Sequence, residues 1–397
     1  MRTSDGSPLR VLVAGGGVAA VETVLGLHAF APDCAELTLV SPDTSLVDRP
    51  ASVQVPFGYG RPRSVSLHEI ASYAGATVIA DTLAGVEPER HRVLTTGGLE
   101  LHYDVLVVAT GAVASNPLPG ALAFAGMAST EEFRHLLHDL HFGAARSVVF
   151  AVPTGTSWSL PLYELALGTS ARLRALGVAT TQLTITTPED AALELFGLAA
   201  SREVEKLLAD ARIDLVTRSH ATAVDNGDVV LVPPARIPAD RVVTLPHLRG
   251  PAVSGLPHDP DGFLETDLHG RVRRVADVYA AGDVIAFPIK QGGLAAQQAD
   301  AVVEAIAARA GALTDPLPFR PVLRGQLLIG RARRFLESPI AGGRGDVSRF
   351  EPHALWWPPV KVAARHLGRY LEEVVGVGQP GGHIDGLPVL TAAGPEE

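Results

Sequence analysis

The sequence predicts an α/β protein in which two doubly wound, three-layer units are followed by a C-terminal α+β segment. Three observations support it. Residues 9–30, LRVLVAGGGVAAVETVLGLHAF, run from an apolar strand through a glycine turn into a helix. A strand, turn and helix start again at 146–176. The second strands of the two runs then end alike, LTLVSPD at 37–43 and LTITTPE at 183–189, as two related units would.

Composition narrows the function. With 397 residues the chain exceeds one ordinary core. Apolar residues at 47% against 19% charged ones describe a globular chain. A net charge of −10 provides no concentrated basic face, so nucleic acid is not an expected partner. The single cysteine, Cys34, excludes an intrachain disulfide and a cysteine-cluster metal site. None of the histidines shows metal-ligand spacing, so no metal is expected. The first ten residues lack an apolar signal segment, and no apolar run approaches the roughly 18 residues of a membrane span. A soluble cytoplasmic protein is the expectation.

The elements follow in order. Arg10–Ala14 is apolar without alternation, as in a parallel strand covered on both faces. Residues 35–43 and 76–81 supply the second and third strands, and TLAGVEP, HRVLTTGG and LELHYD read as short β-segments. Residues 103–112, YDVLVVATGA, form a further buried strand ending in Thr110-Gly111. The second unit has strands at 146–152 and 181–187, helices at 160–176 and near 200–211, and the strand IDLVTRS. Residues 277–310 give a strand, a loop and an alanine-rich helix, and that strand is expected to return to the first sheet. The predicted domains are therefore 1–115 with 255–312, an inserted 116–254, and a C-terminal interface or cap segment at 313–397. Beyond 313 periodicity weakens; the tail contains GGRG at 342–345, and its Gly/Pro-rich end is expected to be mobile.

Gly15-Gly16-Gly17-Val18-Ala19-Ala20 fits GxGxxG/A between strand and helix. Gly15 permits the tight turn, Gly17 lets a pyrophosphate approach the backbone, and Ala20 allows close packing. Amides at the helix start face the anion. Together with Thr110-Gly111 and Ala280-Ala281-Gly282-Asp283, this order resembles the FAD-dependent pyridine nucleotide–disulfide oxidoreductase superfamily. The similarity is to its branch of sulfide:quinone oxidoreductases, flavocytochrome c sulfide dehydrogenases and type II NADH dehydrogenases. It covers residues 9 to about 310 and is carried by VLVAGGGVAAVE, VDRPASVQVPFG, YDVLVVATGA and VYAAGDVIAFPIKQGGLAAQQA.

The resemblance implies two Rossmann-type dinucleotide-binding domains and bound FAD. Gly15, Gly17, Val18 and Ala19 would surround the pyrophosphate, and the Leu83 backbone would meet the adenine. Arg49 and Pro50 would approach the cofactor, and Thr110 and Gly111 would line it. Gly282 leads to Asp283, which would bond the ribityl chain. Gln291, Gly292, Gly293 and Leu294 would run beside the flavin pyrimidine at a helix start, whose positive end suits a reduced, negative flavin. One position departs from the family. A carboxylate usually ends the second strand and holds the adenosine ribose; here Ser41 stands there, with Asp43 the nearest acid.

The second turn, PTGTSWSLPLYE at 153–164, is unlike a nucleotide-binding turn. Pro153 has no amide proton, Trp158 brings bulk, and Pro161 fits only a first helical turn behind Ser159 as N-cap. Thr154, Thr156, Ser157 and Ser159 remain as donors to some anion. Conventional NAD(P)H binding is not expected here.

Sulfide oxidation in the resembling enzymes uses paired cysteines near the flavin, a pair this chain cannot assemble. Cys34, placed before the second strand on the adenosine side, reads as a packed small residue. That leaves FAD passing electrons or hydride to or from a small molecule or quinone without a redox disulfide. Lys290 is the candidate polar group at the flavin face, with Tyr163 a second candidate facing a substrate pocket. An NAD(P)H:quinone reductase with an atypical nucleotide site, and a repurposed fold acting as a non-redox enzyme or binding module, stay open. In the tail, Val360, Ala364, Leu367 and Leu371 make an apolar stripe flanked by Lys361, Arg365 and Arg369 behind Trp356-Trp357. Packing over the pocket or in a homodimer is favoured over a membrane surface for it.

Overall fold

Leu9–Ala14 lies at the centre of a five-stranded, all-parallel sheet in the structure, a computed structural model. The strand order is Val278–Ala280, Val105–Val108, Leu9–Ala14, Ala35–Val40 and Thr77–Ile79. Residues 7–60, 62–155, 158–340 and 348–377 are described, with the backbone of 383–384 and 387–388. The unbroken apolar character of these strands follows from having a layer on each face. Val11, Val13, Val105 and Val107 pack with the helices Val18–Phe30 and Gly292–Arg309. Leu12, Ala14, Leu106 and Val108 pack with Val86, Val93, Leu256 and Leu264. That second layer includes an antiparallel meander of Leu83–Glu87, Arg92–Thr95 and Glu100–His102.

The second unit repeats the plan. Its parallel sheet runs Leu122–Ala123, Arg241–Thr244, Ser147–Ala151, Gln182–Thr186 and Ile213–Val216. The two sheets place their strands in the same roles. Gly15 N donates to Val40 O, as Val152 N does to Thr186 O; Ser41 N donates to Ile79 O, as Thr187 N does to Val216 O. The echo between 37–43 and 183–189 is thus a structural equivalence. The crossing segments between the units pair as the antiparallel strands Val113–Ser115 and His247–Arg249.

The C-terminal part holds β-structure that weak periodicity concealed. Val322–Ile329 and Ala332–Pro339 form a hairpin around Gly330-Arg331, and Arg349–Glu351 adds a third antiparallel strand. Gly330, at φ +58°, is the turn signal that marks it. The tail stripe is helical only from His366 to Glu373. Val360, Leu367 and Leu371 are nevertheless buried in the first unit's core, with Ala364 packed against it. Lys361 does not flank that stripe but is buried. Among the described residues no helix is long and apolar enough to cross a membrane. Thr156, Ser157, the GGRG segment and most of the terminal stretch lie outside the described residues.

Cys34 corrects an expectation. Leu9 N donates to Cys34 O at the start of the strands, whereas the glycine turn follows Ala14 at their other end. Five steps of extended chain separate the two, about 17 Å. The thiol is therefore remote from the adenosine side and from any reacting centre there.

Candidate active site

The first unit presents an open helix start. The helix begins at Val18, its N-cap Gly17 is extended and uses no side-chain cap, and a Cβ on Gly17 would meet nothing within 4 Å. Uncapped amides and the positive helix end thus face free space, an arrangement suited to a pyrophosphate. Gly15 adopts φ +136°, and a Cβ there would lie 2.2 Å from Ala109 O, so a side chain would part the turn from the neighbouring strand. Gly282, at φ +86°, rests 3.1 Å from Ala19 Cβ by the same measure and brings the Asp283 loop onto the helix start. The glycine turn, Thr110-Gly111 and Gly282-Asp283 thereby meet at the C-terminal ends of parallel strands, where open α/β sheets place ligands.

From there a cavity of about 710 Å³ extends toward the second unit. Arg49, Pro50, Thr110, Gly111, Asp283, Phe287 and Lys290 line its first-unit side; Gly155, Trp158, Pro161 and Leu245 close the other. Among the described residues the exposed Arg49 guanidinium makes no hydrogen bond. Lys290 Nζ donates to Ile285 O and sits 3.7 Å from the centroid of the Phe263 ring. Burial pulls its ammonium down to about 8, opposed by the charges of Asp283 and Asp259. Burial conversely pushes the Asp283 carboxyl up against Lys290 and Arg49. An open cradle, a long cavity and these polar groups fit a flavin dinucleotide.

Other expected site residues sit elsewhere. Ser41 is fully buried: its Oγ accepts from Asp43 N at 3.1 Å and fills the space a Gly16 Cβ would need. Being 0% exposed, it offers no surface to a ribose. Leu83 is half-buried at the meander edge. Gln291 caps the helix Gly292–Arg309 by accepting from Leu294 N at 2.8 Å, and it donates to Arg324 O at 3.0 Å. Val362 and the Ala363 carbonyl stand over Gly292 and Gly293. None of residues 291–294 lines the cavity.

Tyr163 is a core residue. It is 0% exposed, and its hydroxyl donates to Glu189 Oε2 at 3.4 Å; burial drives its ionisation far up. It faces no substrate pocket. Glu189, which follows the second strand, accepts further hydroxyls from Ser159 at 3.1 Å and Thr187 at 2.9 Å. Ser159 is the N-cap of the helix Leu160–Ala175, yet it makes no capping bond because its hydroxyl serves this carboxylate. The helix begins nine residues after the strand ends, against four in the first unit. Trp158 packs against Phe196, with ring centroids 5.8 Å apart.

Sequence reading missed a buried ion pair. Lys361 Nζ donates to both Glu164 oxygens, at 2.5 and 2.6 Å, and Glu164 Oε1 also accepts Leu328 N at 2.7 Å. It ties the second unit's helix to the hairpin and the tail. The unusual glutamate at an interior helix position was the available signal; its lysine lies 197 residues away.

Residues 9–306 match the family described as Pyridine nucleotide-disulphide oxidoreductase. The chain belongs to this family. Among curated relatives, the sulfide-quinone reductase of Aquifex aeolicus is 26% identical over 258 residues, 61% of this chain and 59% of the relative. The chain therefore aligns with less than two thirds of that relative's length. An NADH dehydrogenase-like protein of Mycobacterium tuberculosis is 28% identical over 302 residues, 70% of this chain and 73% of the relative. Among solved structures, the Aquifex aeolicus sulfide:quinone oxidoreductase superposes with a TM-score of 0.78 at 22% identity, covering 87% of both chains. A ferredoxin reductase from Rhodopseudomonas palustris gives 0.64 at 19%, over 84% of this chain and 83% of the other. These likenesses establish the fold: a two-unit reductase architecture of Rossmann type. Membership of the family implies a flavin.

Proposed function

We propose that this family member is an FAD-dependent oxidoreductase that exchanges electrons or hydride with a small molecule or quinone, without a redox disulfide and without NAD(P)H in the second unit. The observation that carries the reading is the cavity shared by the Thr110-Gly111, Asp283 and Lys290 wall and the Trp158-Pro161 wall. Beside it, at the helix start, Gly15, Gly17, Val18 and Ala19 hold the pyrophosphate, with Gly282 packed against Ala19; Arg49, Pro50, Thr110, Gly111 and Asp283, which line the cavity, position the rest of the dinucleotide. FAD supplies the capacity to take up and release two electrons. Lys290 places a half-buried ammonium in the cavity; it stabilises negative charge there and can deliver a proton from Nζ. Phe287, Trp158, Pro161 and Leu245 exclude water and favour a planar, largely apolar partner such as a quinone, which the names of the sulfide-quinone relatives also bring to mind. The domain division given above, with 116–254 inserted and 313–397 as a cap, belongs to this reading and rests on the two sheets.

The visible spectrum of the purified protein tests it. Flavin bands at about 375 and 450 nm are expected; their absence after added FAD would leave a non-redox use of the fold. Screening reductants for loss of the longer band then identifies the electron donor.

A further inference from the structure

Behind the first sheet, three helices bring together polar side chains that the flavin reading does not use. Glu22 projects from Val18–Phe30, Asp300 from Gly292–Arg309 and His366 from the C-terminal helix His366–Glu373. One ligand-type atom from each lies within 4.8 Å of the others. The His366 side chain is 10% exposed, and its Nε2 is 3.6 Å from Asp300 Oδ1. Both of those atoms are buried without a hydrogen-bond partner. Orphaned polar atoms of this kind are rare in folded proteins because each carries a desolvation cost.

We propose that Glu22, Asp300 and His366 bind a divalent transition-metal ion of the zinc class. The donor set, one imidazole nitrogen and two carboxylates, is of the kind that zinc accepts, whereas magnesium and calcium favour oxygen alone. The 3.6 Å His366–Asp300 edge is close to the roughly 3.3 Å ligand–ligand edge implied by tetrahedral bonds of 2.0–2.1 Å. Glu22 is already oriented: its two oxygens accept the backbone N–H groups of His366 and Leu367, each at 2.7 Å. Two arginines lie nearby. Arg365 approaches Glu304 at 3.5 Å and Arg369 pairs with Glu373 at 2.8 Å on the surface. An ion here would staple the tail, including the Val362–Ala363 stretch over Gly292-Gly293, to the first unit.

Calorimetric titration of the EDTA-treated 397-residue chain with Zn²⁺ alone tests this. One equivalent should bind and raise the thermal midpoint, and Asp300→Asn or His366→Ala should each weaken binding at least tenfold. No saturable binding by the wild-type chain overturns the proposal. Binding unchanged in both variants also overturns it, since it locates the ion on exposed histidines such as His138 and His141. A cluster that takes no Zn²⁺ but loses stability as pH rises holds a shared proton instead. The wild-type titration does not depend on how the variants fold.

Discussion

The two units follow one plan up to the ends of their first strands and then part. After Ala14 the chain turns on glycine and starts its helix at Val18 with free amides; after Ala151 it passes Pro153 and Trp158 before a helix at Leu160. The acids after the second strands differ equally. Asp43 is exposed, whereas Glu189 turns inward and gathers the hydroxyls of Ser159, Tyr163 and Thr187. In the second unit an internal carboxylate already stands beside the helix start, where a nucleotide would otherwise find its donors. The same scaffold thus leaves its helix start open in one copy and closes it with side chains in the other.

Gly15→Val should break the contrast most severely. A Cβ 2.2 Å from Ala109 O displaces the turn, so the purified variant should lack flavin bands, and full flavin occupancy would remove the assignment. The second unit's role as a wall depends on its attachment to the tail. Glu164→Ala leaves the buried Lys361 ammonium alone and should cost about 3–5 kcal/mol in denaturant unfolding, most of it restored in Glu164→Gln/Lys361→Met.

Lys290→Ala should keep its flavin yet slow flavin reduction about a hundredfold, the scale of one positioned proton donor. Because burial lowers the Lys290 pKa to about 8, the ammonium is present below that pH and lost above it. The wild-type rate should fall as pH rises through about 8, and the variant's profile should lack that step. Gly155→Ala should do least. Its φ is +80°, but a Cβ there would meet only the His247 ring, at 3.6 Å or more, so a loss of about 1 kcal/mol with flavin retained is expected.

Local pattern carried the reading of the fold where elements are regular. The apolar run Leu9–Ala14, the glycines and the echo of LTLVSPD in LTITTPE placed both sheets, because a strand covered on two faces must be apolar throughout. Partnerships across long separations were not legible. Glu164 with Lys361, and Glu22 with Asp300 and His366, arise only when distant helices pack. Ser41 and Tyr163 were misread for a related reason: their positions along the chain were right, but the Ser41 hydroxyl is packed against Gly16 and accepts from Asp43 N, and the Tyr163 hydroxyl is taken by Glu189. In the tail, Gly330 was visible, yet Val322–Pro339 lacks the clean alternation that would have declared a hairpin.

In the proposed reading the first unit seats a flavin and the second refuses a nicotinamide nucleotide. Anaerobic mixing with NADH and then NADPH, followed at the flavin band of about 450 nm, addresses both halves at once. The account predicts a flavin band that neither nucleotide diminishes within the time of mixing, while a chemical reductant removes it. Rapid bleaching by either nucleotide would contradict it.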